Sequence, residues 1–155
     1  VRDHFIANDM QLAHLNCAFP NGHDGFWIST LAQGDIGHVA SDGTYKLVAS
    51  GFVGCHGVRY SRELAMLYFS DSCSGRLIGI GADHTPRVLG AVDSRWLHDA
   101  QHLVGNIFAL CLCDKNAIVL LDIASNSELA RFDMQARGVN VQFINVMGEP
   151  VCRYG

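Results

Sequence analysis

The sequence predicts an all-β chain of four-stranded antiparallel units, on three observations: a shared period near 41 residues, turn residues between short apolar runs, and no sustained helical spacing. Residues 25–50, 65–92 and 106–132 superimpose with few gaps, each as strand, turn, strand, turn, strand. Their aromatic anchors in the first of these strands, Trp27, Tyr68 and Phe108, lie 41 and 40 apart. Their first turns, at Gly34, Gly75 and Asn116, are 41 and 41 apart, and their second turns, at Asp42, Asp83 and Ser125, are 41 and 42 apart. Landmarks of different chemistry sharing one period indicate a structural repeat.

The elements follow in order. Gly, Asn, Asp and Ser supply positive φ or cap backbone groups, so they punctuate runs rich in Ile, Val, Leu and aromatics into strands. Trp27 and Tyr68 read as packing residues within those strands. Apolar spacing at three and four residues is confined to a short stretch around Leu97 to Leu103. Ahead of each three-strand segment sits a less regular one, at 11–19, 54–60 and 96–104, which supplies a fourth strand. A four-stranded unit repeating at about 40 residues has the form of a β-propeller blade, with its first strand lining the central channel. The expected organisation is a single propeller segment over 1–155: blades at about 11–51, 54–93 and 96–134, and a partial blade at 138–155.

Three blades and a remnant leave strand edges that a ring must close, since a propeller needs about four or more blades. Two chains forming a ring of six or more blades is the favoured expectation, so a homo-oligomer or a partner chain is implied. The alternatives are completion of the remnant by Val1 to Met10, and membership of a larger propeller.

Composition narrows the function classes. A formal net charge of −4 with Lys and Arg scattered singly offers no basic stripe for a phosphate backbone, so nucleic acid is not an expected partner. No apolar run of about 18 residues is present to span a bilayer. Val1 to Met10 carries Arg2, Asp3, His4, Asn8 and Asp9 and lacks the apolar core of a secretory signal. A soluble protein is expected, the cytoplasm being slightly favoured. Six cysteines in 155 residues are too dilute for a disulfide scaffold. Cys111 and Cys113 are expected on one face of a strand, with too short a spacing for a zinc pair.

The blade pattern GFWIST...GDIGHVASDGTYKLV resembles the propeller families that include NHL repeats, gluconolactonase-like proteins and streptogramin lyases, over about residues 14–133. Resemblance to the streptogramin lyases implies channel histidine chemistry with magnesium. Resemblance to the gluconolactonase-like proteins implies a divalent ion held by Glu, Asn and Asp, a set for which this sequence offers no counterpart.

From the residues themselves, the candidate site is His14, His56 and His98, spaced 42 and 42 in the three first strands. Such registry would set three imidazoles at similar heights around one axis, as ligands for a divalent transition metal. Asn16 lies nearby, and Asp99 and His102 are candidates for a catalytic acid or base. The opposing expectation is that duplication repeats a structural histidine. Asp71 and Ser72 offer a nucleophile but sit at a turn where capping is the stronger expectation, and Arg59 and Arg95 serve either an anionic ligand or inter-blade ion pairs. His4, His23, His38 and His84 fall in the terminus, turns or outer strands, where solvent exposure is expected. Two functions stand: a binding or assembly module recognising a small-molecule ligand or protein partner at its channel face or open edge, and a metal-assisted hydrolase or lyase.

Overall fold

The computed structural model describes residues 14–134. The Val1 to Met10 segment, His4, Cys152 and the partial blade expected at 138–155 lie outside the described residues. Among the described residues, twelve strands form three four-stranded antiparallel sheets. The first sheet holds β1 (Leu15–Pro20), β2 (Phe26–Thr30), β3 (Asp35–Val39) and β4 (Tyr45–Ala49). The second holds β5 (Cys55–Ser61), β6 (Met66–Asp71), β7 (Arg76–Ile80) and β8 (Pro86–Ala91), and the third β9 (Leu97–Val104), β10 (Ile107–Leu112), β11 (Ala117–Asp122) and β12 (Ser127–Asp133). Each sheet is a meander in which consecutive strands are neighbours. The short stretch at Leu97 to Leu103 is strand β9. No helix among the described residues is long and apolar enough to cross a membrane.

Both turn series adopt the backbone their residue types favour. Gly34, Gly75 and Asn116 have φ of 66°, 62° and 47°, and the residues following the second turn positions, Gly43, His84 and Asn126, have φ of 85°, 56° and 51°. At Gly34 a side chain is also sterically forbidden, because a Cβ would lie 1.8 Å from the Phe52 carbonyl oxygen. Phe52 N–H donates to the Gly34 carbonyl at 3.2 Å, and Val92 to Gly75 and Met134 to Asn116 repeat that bond at 2.9 and 3.0 Å. Each outer strand is thus followed by the same tether to its own sheet.

The sheets pack face to face as blades, with β1, β5 and β9 neighbouring one another on the inner side. The joint between the first two blades buries Ile36 and Ala49 against Val58, Leu67, Phe69, Ile78 and Ile80, with Trp27 and Phe52 alongside. The joint between the second and third buries Tyr68 and Leu77 against Leu97, Phe108, Leu110, Val119 and Leu121. Tyr68 and Phe108 meet edge to face at 5.2 Å. Because side chains alternate along a strand, each sheet has a forward face toward the next blade and a backward face toward the previous one.

That alternation corrects the aromatic landmark. Trp27 and Tyr68 both point forward, but Phe108 points backward, into Tyr68. Counted from the shared turn, the counterpart of Tyr68 is Ala109, which packs with Cys111 on the third blade's forward face. Both faces of a blade are apolar, so an aromatic residue type does not reveal its face.

Phe108 is fully buried at a joint, and Phe108→Ala should cost about 3–5 kcal/mol of stability. Urea denaturation followed by tyrosine and tryptophan fluorescence measures the loss. A cost below about 1 kcal/mol, the level of an ordinary exposed substitution, would contradict the packing described here.

Candidate functional site

The inner strands are irregular because they are bulged. Pairing shifts between Leu15 and Cys17 in β1 and between His56 and Arg59 in β5, and twice along β9 against β10. A bulge inserts a residue and re-aims the side chains beyond it, so counting along these strands does not give structural equivalence. Backbone bonds at the strand entrances do: Leu31 N–H donates to His14, Ser72 to Gly54 and Cys113 to Trp96, at 3.0, 3.1 and 3.0 Å. His14 is therefore the counterpart of Gly54 and Trp96. The counterpart of His56 and His98 in the first blade is Asn16, whose side-chain amide donates to the Cys55 carbonyl at 3.2 Å. The registry expected of three histidines holds for two.

His56 and His98 lie on adjacent inner strands with ring centroids 4.3 Å apart. Trp96 completes the group, 5.2 Å from His56 and 6.3 Å from His98. His14, exposed and with φ of 30°, is close enough to act on His56 electrostatically. His56 itself is buried, and its Nδ1 lies 3.1 Å from the Gly54 carbonyl and 2.8 Å from Ser72 Oγ. Both contacts fall on Nδ1, so a ligand at this ring would meet Nε2. Burial, and secondarily the imidazoles of His98 and His14, push the pKa of His56 down to about 4, against the Gly54 carbonyl, which favours the protonated ring. At neutral pH this ring is uncharged.

The expected acid and base stand elsewhere. Asp99 is buried and accepts two bonds from Arg59 Nη2, at 2.8 and 3.1 Å, while Arg59 Nη1 donates to Gln101. Arg59 is therefore an inter-blade ion-pair residue, joining β5 to β9. Gly57 is required beside this pair, with φ of 61° and space so tight that a Cβ would lie 2.7 Å from Asp99 Oδ1. His102 is buried with Nδ1 3.1 Å from Ser61 Oγ and Nε2 2.9 Å from the Gly105 carbonyl, and its ring packs on Phe108. Its N–H donates to the Tyr68 hydroxyl at 3.2 Å. Both residues fasten the second blade to the third.

Asp71 is buried, accepting from Val53 N–H at 2.6 Å and from Arg76 Nε at 3.0 Å, and Ser72 is fully buried beneath His56. A substrate cannot reach that hydroxyl. The backbone N–H of Arg95 donates to Asp114 at 2.9 Å. Cys113 opens a short 3-10 turn after β10 rather than continuing the strand, yet its sulfur lies 4.0 Å from that of Cys111. His38 is half-buried on β3 against Trp27, not solvated. Among the described residues no three His, Cys, Asp or Glu side chains are grouped so as to hold a metal ion. Trp96 was missed in the sequence; its position just before a first strand is the only signal that marks it.

Two outcomes are expected. The native state holds His56 neutral while the unfolded chain protonates it near the ordinary histidine pKa of about 6.5. Stability should therefore fall as pH drops below about 6.5 and the contribution should level off near pH 4; chemical denaturation at pH 7 and pH 4.5 measures this, and His56→Gln should flatten the difference. Arg59→Met strands the buried Asp99 carboxylate and should cost about 3 kcal/mol; a thermal midpoint equal to that of the wild type would remove the ion pair from the list of structural contacts.

No protein-family model matches the chain, and no curated protein matches it. Solved structures do. A streptogramin B lyase is similar at TM-score 0.60 and 13% identity, over 77% of this chain and 40% of that one. The calcium-binding protein regucalcin from Agrobacterium tumefaciens is similar at 0.63 and 16%, over 77% and 45%. A luciferin-regenerating enzyme is similar at 0.65 and 14%, over 83% and 48%. The chain spans less than half the length of each of these. At such identities the likeness shows fold alone, and with the three stacked meanders it makes the described residues a set of β-propeller blades.

Proposed function

We propose that the chain is a propeller binding module whose axial site, lined by His14, His56, His98 and Trp96, receives a small ligand. The observation that carries this is the three-ring cluster of His56, His98 and Trp96 where two inner strands enter, with His56 tilted against His98 and edge-on to Trp96. The neutral His56 ring and the indole of Trp96 there offer an apolar surface with a few directed polar atoms, the composition of a small-molecule site. Asp71, Asp99 and His102 are committed to joints and caps.

A second reading, drawn from the spacing of the histidines in the sequence, is a metal-assisted hydrolase or lyase in which His14, His56 and His98 would hold a divalent ion, with Asp99 or His102 as acid or base; among the described residues these side chains are not grouped as a metal site. The fastening of Asp99 and His102 between blades weighs against it. Three imidazoles would supply a transition ion with nitrogen ligands, and the ion would acidify a bound water.

Thermal shift on the full chain separates the two, with Zn2+, Ni2+ and a panel of small planar aromatic compounds as probes. An organic probe at a hundredfold its Kd should raise the midpoint by about 5 °C or more, and His98→Ala and Trp96→Ala should abolish the shift. A shift given only by a metal, and lost in His14→Ala, would replace the binding proposal with the metal one. A shift that survives all three substitutions would place the ligand away from this site.

A further inference from the structure

The turn between β10 and β11 gathers sulfur. Cys111 lies near the end of β10 and Cys113 opens the 3-10 turn that follows, with their sulfurs 4.0 Å apart. Met134 packs with Cys113 on the buried pair Ala109 and Cys111. Backbone bonds hold these residues around the one turn. Cys113 N–H donates to the Trp96 carbonyl at 3.0 Å, Asn116 N–H to the Cys113 carbonyl at 3.2 Å, and Met134 N–H to the Asn116 carbonyl at 3.0 Å. Cys111 is fixed in turn by its register between Ile118 of β11 and Asp99 of β9.

The blade frame does not require sulfur at these places. Counted from the shared turns, Cys111 and Cys113 correspond to Ser29 and Leu31 in the first blade and to Ser70 and Ser72 in the second. The tethers that follow the outer strands make Met134 the counterpart of Phe52 and Val92. Ser29 and Ser70 are fully buried, as Cys111 is, so the position accepts a hydroxyl as readily as a thiol. Among the described residues, the third blade alone combines sulfur at all three.

Thiolate and thioether ligands together select a soft ion such as Cu(I) over hard ones. Two cysteines fall short of the four ligands that a structural zinc ion takes. A metal–thiolate bond is about 2.3 Å long, so two thiolates of a trigonal centre stand about 4.0 Å apart. Cys111 and Cys113 already hold that separation.

We propose that Cys111, Cys113 and Met134 form a Cu(I) site, two thiolates and a thioether around one ion. Binding breaks two S–H bonds, forms two Cu–S bonds and releases two protons, with no change of oxidation state. The half-buried Cys113 is the point of entry, and the buried Cys111 completes the pair. The site uses none of the axial imidazoles, so it stands whether or not those bind a ligand.

Anaerobic titration of the reduced 155-residue chain with Cu(I), in competition with bicinchoninate, tests this. One ion per chain should leave the chelator. Cys113→Ser should weaken binding about a hundredfold or more and Met134→Leu about tenfold, on the scale of 10–100-fold that even outer-shell changes produce at metal sites. Both positions are half-buried, and far-UV circular dichroism should show the fold retained. X-ray absorption should show sulfur neighbours at about 2.3 Å and no nitrogen. Failure to take copper from the chelator, affinity unchanged in either variant, or imidazole nitrogen around the ion would each overturn the assignment.

Discussion

The structure depends on one constraint: every sheet carries an apolar face on both sides, and each face must be covered. A β-meander with one apolar face can rest on a single partner, but a blade cannot. Ile78 and Ile80 on β7 point back into the first joint while Leu77 on the same strand points forward into the second. Burial of these side chains drives the stacking, and stacking about the inner strands forces a rotation from blade to blade that leads toward a ring.

Polar groups set how neighbouring blades are aligned. Apolar contact alone would tolerate sliding along the joint, whereas the Arg59 to Asp99 and Gln101 contacts fix β5 against β9, and Ser61, Tyr68 and His102 fix the same strands a step further along. Each is a buried group whose loss of partner is costly, so misaligned stacking is disfavoured more strongly than aligned stacking is favoured. The bulges serve the same alignment, for the shift between His56 and Arg59 places Gly57 where Asp99 can approach.

The candidate site is a consequence of this geometry. Blade stacking brings the entrances of β5 and β9 together, and His56, packed against His98 and Trp96 there, is too enclosed to favour a charged imidazole. Acid sensitivity of the fold and ligand capture at neutral pH would both arise from that enclosure. Asp99 and His102, by contrast, lie deeper along β9 and face the joint.

Sequence by itself determined the blades: the 41-residue spacing of Gly34, Gly75 and Asn116 reports residues whose backbone must turn left-handed, and that requirement is local. It also marked His56 and His98, which stand at equivalent positions of adjacent inner strands. What only the tertiary structure decided was register and face. Phe108 points opposite to Tyr68, and His14 is two residues out of step with His56 and His98, because bulges and loop lengths differ between blades while composition does not. The roles of Asp99 and His102 were likewise decided by partners on another sheet, at Arg59 and Ser61. Turn chemistry is written within a few residues, but pairing across a joint depends on side chains some forty residues apart that meet only when the blades stack.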